Sequence, residues 1–362
     1  MAWGHALLGA LFVVTGALAG DTGNPQFGLP SIVVPVENPI TPEKIDLGKK
    51  LFFDRRLSKN GTLSCAMCHV PEQGFTQNEL ATSVGFEGKS LRRNAPSLLN
   101  VALHDSFQRD GAKASLETQV WGPLLAADEM ANGTVANVVE RINSLADYQG
   151  LFELTFAGKS PDEITVGQAL ATFERTLLAG DSRFDRWYFG GDETALSQNE
   201  KSGFRVFTSS GCSACHLIDA RAAPFSDNRF HNTGASAFTR QSNSEPILVQ
   251  LAPGVTIQIN RDSLASVSES TRDDLGRIEV TGDPGDRDAF KTPTLRNVAL
   301  TAPYMHDGSM STLEDVIEFY SKSALLENFR NANSVVWSDA EKSALRAFLK
   351  ALTGELPTTP RN

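Results

Sequence analysis

The chain has little cysteine, no excess of positive charge, few strand signals, and no long apolar run beyond residue 19. Each absence excludes something. Among 362 residues there are four cysteines, and all four sit in two C-x-x-C-H motifs, Cys65–His69 and Cys212–His216. None is left for the structural disulfides on which exported proteins usually spend their cysteines. Lys and Arg total 33 against 43 Asp and Glu, a formal charge of −10. That balance argues against nucleic acid and against an anionic membrane surface, and it favours a neutral or basic protein partner. No segment after residue 19 is long and apolar enough to span a bilayer. The scarcity of alternating patterns makes the chain mostly α.

What is present divides into segments. The apolar run Ala6–Ala19 ends in Ala17-Leu18-Ala19, a small-x-small cleavage pattern, and is too short to cross a membrane. Residues 1–19 are therefore expected to be a signal peptide that exports the chain to the periplasm, although no Lys or Arg precedes the run. Residues 20–40 are a Pro-rich extended lead. Two domains are expected after it, 41–190 and 191–362, each with one C-x-x-C-H followed by helices, as after a duplication. Helices are expected from Ile45 through the run KIDLGKKLFFDRRL, and after Ser160-Pro161 with Gly180 as the stop. Capping boxes are expected at Ser197/Glu200, Ser311/Glu314 and Ser338/Glu341. Residues 222–290 have little periodicity and are expected to form long loops.

C-x-x-C-H admits three chemistries. Cys65, Cys68, Cys212 and Cys215 could form a split zinc ribbon. A redox dithiol requires a βαβ context, which is missing. Haem c attachment uses both cysteines as thioethers and the following histidine as iron ligand. The histidine directly after the second cysteine, twice, selects the third: two covalent haems, with His69 and His216 as proximal ligands.

Longer runs carry a resemblance. LGKKLFFDRRLS before the first motif, RRNAPSLLN, FRVFTSSGCSACH, and FKTPTLRNVALTAPYMHDGSMSTLEDVIEFY resemble the bacterial di-haem cytochrome c peroxidases and MauG over about residues 40 to 355. The resemblance implies two cytochrome c-like haem domains with long loops in the di-haem peroxidase architecture. It implies a peroxidatic N-terminal haem and an electron-storing or relaying C-terminal haem. Many members place a distal His after a T-S-V-G-like segment; here ATSVGFEGKS has Phe86 at that place, so the first iron is expected to be open, with His104 the nearby alternative ligand. Where members carry Met or Tyr as the second haem's distal ligand, this chain has Tyr320, with Met305 and Met310 as alternatives. Leu313, Val316, Ile317 and Tyr320 share one helical face, which by periodicity alone reads as core. The segment LETQVWGPLLAADEM matches the family's peroxide pocket, giving Gln119 and Glu129 as catalytic residues and Pro123 as its cover. Asn94, Thr301 and Pro303 match an interdomain calcium site, the last two through carbonyls. His306 resembles a family residue near the second haem, and His231 a loop residue near a haem edge. Arg109 stands where the family often has Trp between the haems, leaving Trp121 or a propionate-linked route as the inter-haem path.

The resemblance thus implies a periplasmic enzyme that meets H2O2 at an open first haem, reaches a high-valent di-haem state and oxidises a Trp or Tyr of a partner protein, as MauG does. An MbnH-like version would act on a copper-binding partner. The alternative is a peroxidase that reduces H2O2 to water with electrons from a small cytochrome or cupredoxin.

Overall fold

The computed structural model of the chain describes residues 26–244, 247–252, 255–259, 273–323 and 336–357. The expected signal peptide lies outside the described residues. Among them, helices dominate and the strands form two antiparallel pairs, Phe230–His231 with Phe290–Lys291 and Ile247–Ala252 with Val255–Ile259. No helix among the described residues is long and apolar enough to cross a membrane.

Two helix pairs carry two apolar cores. In the first, Pro42–Phe53 packs on Glu163–Arg175; in the second, Gln198–Ser209 packs on Asp339–Ala351. Each crossing turns on one glycine. A Cβ on Gly48 would stand 2.0 Å from the carbonyl oxygen of Ala169, and one on Gly203 would stand 2.0 Å from that of Ala344. Only a residue without a side chain lets the backbones approach this closely. Four residues after each glycine a phenylalanine, Phe52 or Phe207, enters the core. The first core runs from Leu47 to Ala179 and the second from Phe184 to Leu352.

The two halves meet through a repeated octapeptide that pattern reading passed over, Pro96-Ser-Leu-Leu-Asn-Val-Ala-Leu103 and Pro293-Thr-Leu-Arg-Asn-Val-Ala-Leu300. Asn100 and Asn297 hold left-handed backbone at φ 61° and 60° and each opens a short 3-10 turn. Both side-chain amides donate to the carbonyl of Ala179, each at 3.1 Å. Asn100 Oδ1 accepts from the Ala179 N–H at 2.9 Å, and Asn297 Oδ1 from that of Gly354 at 2.9 Å. Close by, a Cβ on Gly354 would meet the Gly180 carbonyl.

These bonds explain a difference from the sequence expectation. The helix expected to run to Gly180 ends at Arg175, because the backbone of Leu177 and Ala179 is taken by Asn100. It also starts later than Ser160-Pro161. Asp162 caps it, accepting from the Thr165 N–H at 2.7 Å, while Thr165 Oγ1 accepts from the Asp162 N–H. The first helix begins at Pro42 rather than Ile45, with Thr41 as cap and the proline in the first turn. The boxes at Ser197/Glu200 and Ser338/Glu341 form as expected. The third is shifted by one residue, to Thr312/Asp315, whose hydroxyl accepts from the Asp315 N–H at 3.1 Å. Within 222–290, expected to be loop, Ala235–Ser244 is helical, fastened by Phe238 edge-on to Phe319 at 5.2 Å.

Candidate active site

Each C-x-x-C-H ends in a short helical turn that presents its histidine to a carbonyl. His69 Nδ1 donates to the oxygen of Phe75 at 3.1 Å, and His216 Nδ1 to that of Phe225 at 2.9 Å. Burial pushes both imidazoles below their ordinary range, with the carbonyls of Phe75 and Pro96 opposing the shift at His69 and those of Phe225 and Pro293 at His216. A histidine oriented this way by its other nitrogen is preset to ligate a metal. The supporting phenylalanines are buried and both hold positive φ, 55° and 50°. The repeated octapeptide clamps them: Ser97 Oγ donates to the Gly74 carbonyl at 2.6 Å and Thr294 Oγ1 to the Pro224 carbonyl at 2.7 Å. The chain thus builds the same proximal support twice.

The thiols settle the choice among chemistries. No two of the four are joined in a disulfide. Among the described residues, the sole group of three metal-ligating side chains with converging donor atoms is Cys215, Asp227 and His231. The four cysteines therefore do not form a zinc ribbon. Cys65 packs against the first core and Cys212 against the second, as two separate attachment points require.

A cavity partly open to solvent lies in the first half. Cys65, Cys68 and His69 line it, and so do Gln119, Pro123 and Glu129. Gln119 ends a one-turn helix capped by Ser115; Pro123 lies in the next turn, Trp121–Leu125; Met130 N–H donates back to the Pro123 carbonyl at 3.0 Å and folds Glu129 inward. A bidentate pair, Arg175 with Glu117 at 2.7 and 3.0 Å, ties this segment to the helix Glu163–Arg175. Burial, reinforced by Asp128, raises the Glu129 carboxyl to about 7, while Asp128 itself is exposed. Two thiols, a preset imidazole and a polar wall fit a covalently held haem.

Phe86 is buried, its N–H donating to the Asp128 carbonyl at 2.9 Å, so its loop is pinned to the strip that carries Glu129. His104 is elsewhere: its Nδ1 meets Asn228 Oδ1 at 3.0 Å and it does not line the cavity. Trp121 belongs to the first core and donates to the Glu163 carbonyl at 3.2 Å.

Glu174 was not anticipated. It lines the same cavity, and its buried Oε2 has no hydrogen-bond partner among the described residues. Burial lifts its carboxyl to about 8, with Arg175 opposing and Glu117 adding to the shift. The sequence signal was weak, an acid on a helix face otherwise filled by apolar residues. Between its ordinary value and about 8, the folded chain holds a proton that the unfolded chain releases, so stability falls as pH rises through that window. Glu174→Gln is expected to gain roughly 1–3 kcal/mol over the parent at pH 8, and to differ least at pH 4, in denaturant unfolding of the haem-loaded protein.

In the second half, Tyr320 lies on the helix Leu313–Ser323, its hydroxyl bonded to the Thr233 side chain. Burial, with Cys212 and Cys215 close enough to add to it, raises the phenol to about 12. Met310 is buried in a small apolar cluster with Ala235 and Phe319, and Met305 packs on that cluster. His231 Nε2 pairs with Asp227 at 2.8 Å beside Cys215. His306 is buried and stacked on Phe290 at 4.1 Å.

Of the residues assigned to calcium, Asn94 has its side chain engaged within the chain. Asn94 Oδ1 accepts from Arg109 Nη2 at 3.1 Å, and its Nδ2 donates to the Ala81 carbonyl. The side-chain oxygen that a cation would need already faces a guanidinium.

With this geometry in hand, comparison with known proteins is direct. The family model described as di-haem cytochrome c peroxidase matches residues 42–194. The methylamine utilization protein MauG of Methylorubrum extorquens is 35% identical, with 98% of this chain and 94% of that protein covered. The chain belongs to the di-haem cytochrome c peroxidase family. Its members are haem-dependent oxidoreductases that use peroxide, and two haem c groups follow for this chain. The cytochrome c551 peroxidase of Nitrosomonas europaea is 34% identical over 97% of this chain and 90% of its own. A solved MauG-like protein associated with microbial copper homeostasis is 32% identical, with a TM-score of 0.70 and 91% and 94% of the two chains covered. The mostly helical architecture is that of the family.

Proposed function

We propose that the chain is a periplasmic MauG-like oxidase, which uses H2O2 to oxidise a Trp or Tyr of a partner protein. The observation that carries this reading is the first cavity, which Glu129 and Gln119 line together with His69 and near which the buried Phe86 stands in a loop held by Asp128. Phenylalanine has no donor atom for iron, so peroxide needs no ligand to leave. When bound, the two haems accept the oxidising equivalents of peroxide and hold them for the partner's ring. Gln119 orients the entering peroxide by hydrogen bonds. Glu129, as carboxylate, takes the proton from one peroxide oxygen and delivers it to the other, which leaves as water. Pro123 covers one side of the pocket. Tyr320 would give a bound second haem a hard anionic donor, which would disfavour a stored ferrous electron and favour shared oxidation.

The partner is expected to be neutral or basic, given the charge of −10. The likeness to a protein associated with copper homeostasis supports a copper-binding partner. The test is one equivalent of H2O2 added to fully ferric, haem-loaded protein, followed by visible and near-infrared absorption. An immediate, long-lived change at both haems without prior reduction is expected. No reaction until one haem is reduced would overturn this reading in favour of a peroxidase fed by a small cytochrome or cupredoxin.

A further inference from the structure

The joint between the halves holds a cation that belongs to the chain. Asn94, from the first half, donates its N–H to the His306 carbonyl of the second at 2.8 Å. Its Nδ2 reaches the Ala81 carbonyl at 3.1 Å, against which Gly308 also packs; a Cβ there would lie 2.0 Å from that oxygen. At the centre of this contact Asn94 Oδ1 accepts from Arg109 Nη2 at 3.1 Å.

From this arrangement we propose that the Arg109 guanidinium takes the place of an interdomain calcium ion, so that the joint is calcium-independent. Calcium gathers six to eight oxygens at 2.3–2.6 Å. A calcium ion on Asn94 Oδ1 would stand within about 6 Å of the guanidinium, two cations sharing one neutral oxygen. Two of the nearby acids are already committed. Asp110 and Asp274 both pair with Arg93, at 2.6 and 2.5 Å. Burial and the nearby Arg93 charge lower the Arg109 guanidinium to about 10, with Asp307 and Asp274 opposing the shift. Arg109 is tethered from both sides: its side chain reaches Asn94, and its carbonyl accepts from the Lys291 N–H of the second half at 2.8 Å. Its Nε is buried without a partner among the described residues, so the guanidinium is held by position and not by a full set of bonds. A tethered monovalent charge thus does at this joint what an exchangeable divalent ion would do, and it cannot be removed by a chelator.

The test uses the full haem-loaded chain and calcium chloride alone as probe. Wild type, passed through metal-free buffer, is expected to retain no stoichiometric calcium by elemental analysis, to give no saturable heat on titration, and to melt at the same temperature with or without EGTA. Arg109→Gln removes the charge and is expected to acquire one saturable calcium site and a melting temperature that EGTA lowers. Arg109→Lys keeps the charge and is expected to stay insensitive. One calcium retained by wild type, or an EGTA-dependent melting temperature in it, overturns the proposal. So does an Arg109→Gln variant that folds and still binds no calcium. If Arg109→Gln does not fold, wild type and Arg109→Lys decide. None of these readouts depends on peroxide reactivity.

Discussion

Glu129→Gln is expected to slow the reaction of the ferric protein with H2O2 by roughly 10²–10⁴-fold, the usual contribution of a positioned acid–base group. Stopped-flow measurement of the second-order rate constant checks it. The argument is geometric first. Glu129 lines the same cavity as His69 and sits beside Gln119's segment, whereas His104 is held on Asn228 and does not line it. Glu174 is the other acid lining the cavity, and it sits on the helix packed behind Cys65. Then comes the protonation state. Burial raises the Glu129 carboxyl to about 7. The carboxylate is the form that accepts the first proton, so the wild-type rate should rise as pH passes upward through about 7. The glutamine variant should show no such rise. A variant that reacts within a few-fold of wild type, or that keeps the pH dependence, would remove Glu129 from the chemistry while leaving the open first haem intact.

Tyr320→Met is expected to raise the reduction potential of the second haem by a sizeable part of the roughly 0.8 V that axial ligands span. A thioether stabilises ferrous iron, and an anionic phenolate stabilises ferric iron. The phenol adds a second effect. Burial raises it to about 12, so a phenolate freed from iron on reduction would take up a proton at neutral pH. The wild-type potential should therefore fall by about 59 mV per pH unit, and the methionine variant should lose that slope. Potentiometric titration at several pH values, with the ferrous spectrum read for a new low-spin band, measures both. An unchanged potential and spectrum would mean that Tyr320 is a core residue bonded to Thr233 and no more.

The parts of this chain that were legible in advance are those written in contiguous residues. C-x-x-C-H states its own chemistry, because thioether attachment and proximal ligation require donors within five positions of one another. Ser197 with Glu200 and Ser338 with Glu341 mark helix starts, because a cap acts on N–H groups two and three residues away. The box written at Ser311/Glu314 formed instead at Thr312/Asp315, since adjacent residues offered equivalent caps and packing chose between them. Glu129 and Gln119 were legible through family likeness, and folding brings them to the same cavity as Cys65 and His69.

By itself, the sequence determined the two attachment motifs, the helical character, the acidic surface and the membership that those long motifs imply. Tertiary structure alone decided the rest. It ended a helix at Arg175 by drawing Leu177 and Ala179 onto Asn100, 79 residues before the bond's far end. It left Glu174, inside the cavity, with an oxygen unpartnered among the described residues. It set Arg109 on Asn94, where the sequence suggested calcium. The physical reason is common to all three. Hydrogen-bond satisfaction and desolvation depend on what surrounds a group in space, and those neighbours come from segments that no local pattern connects.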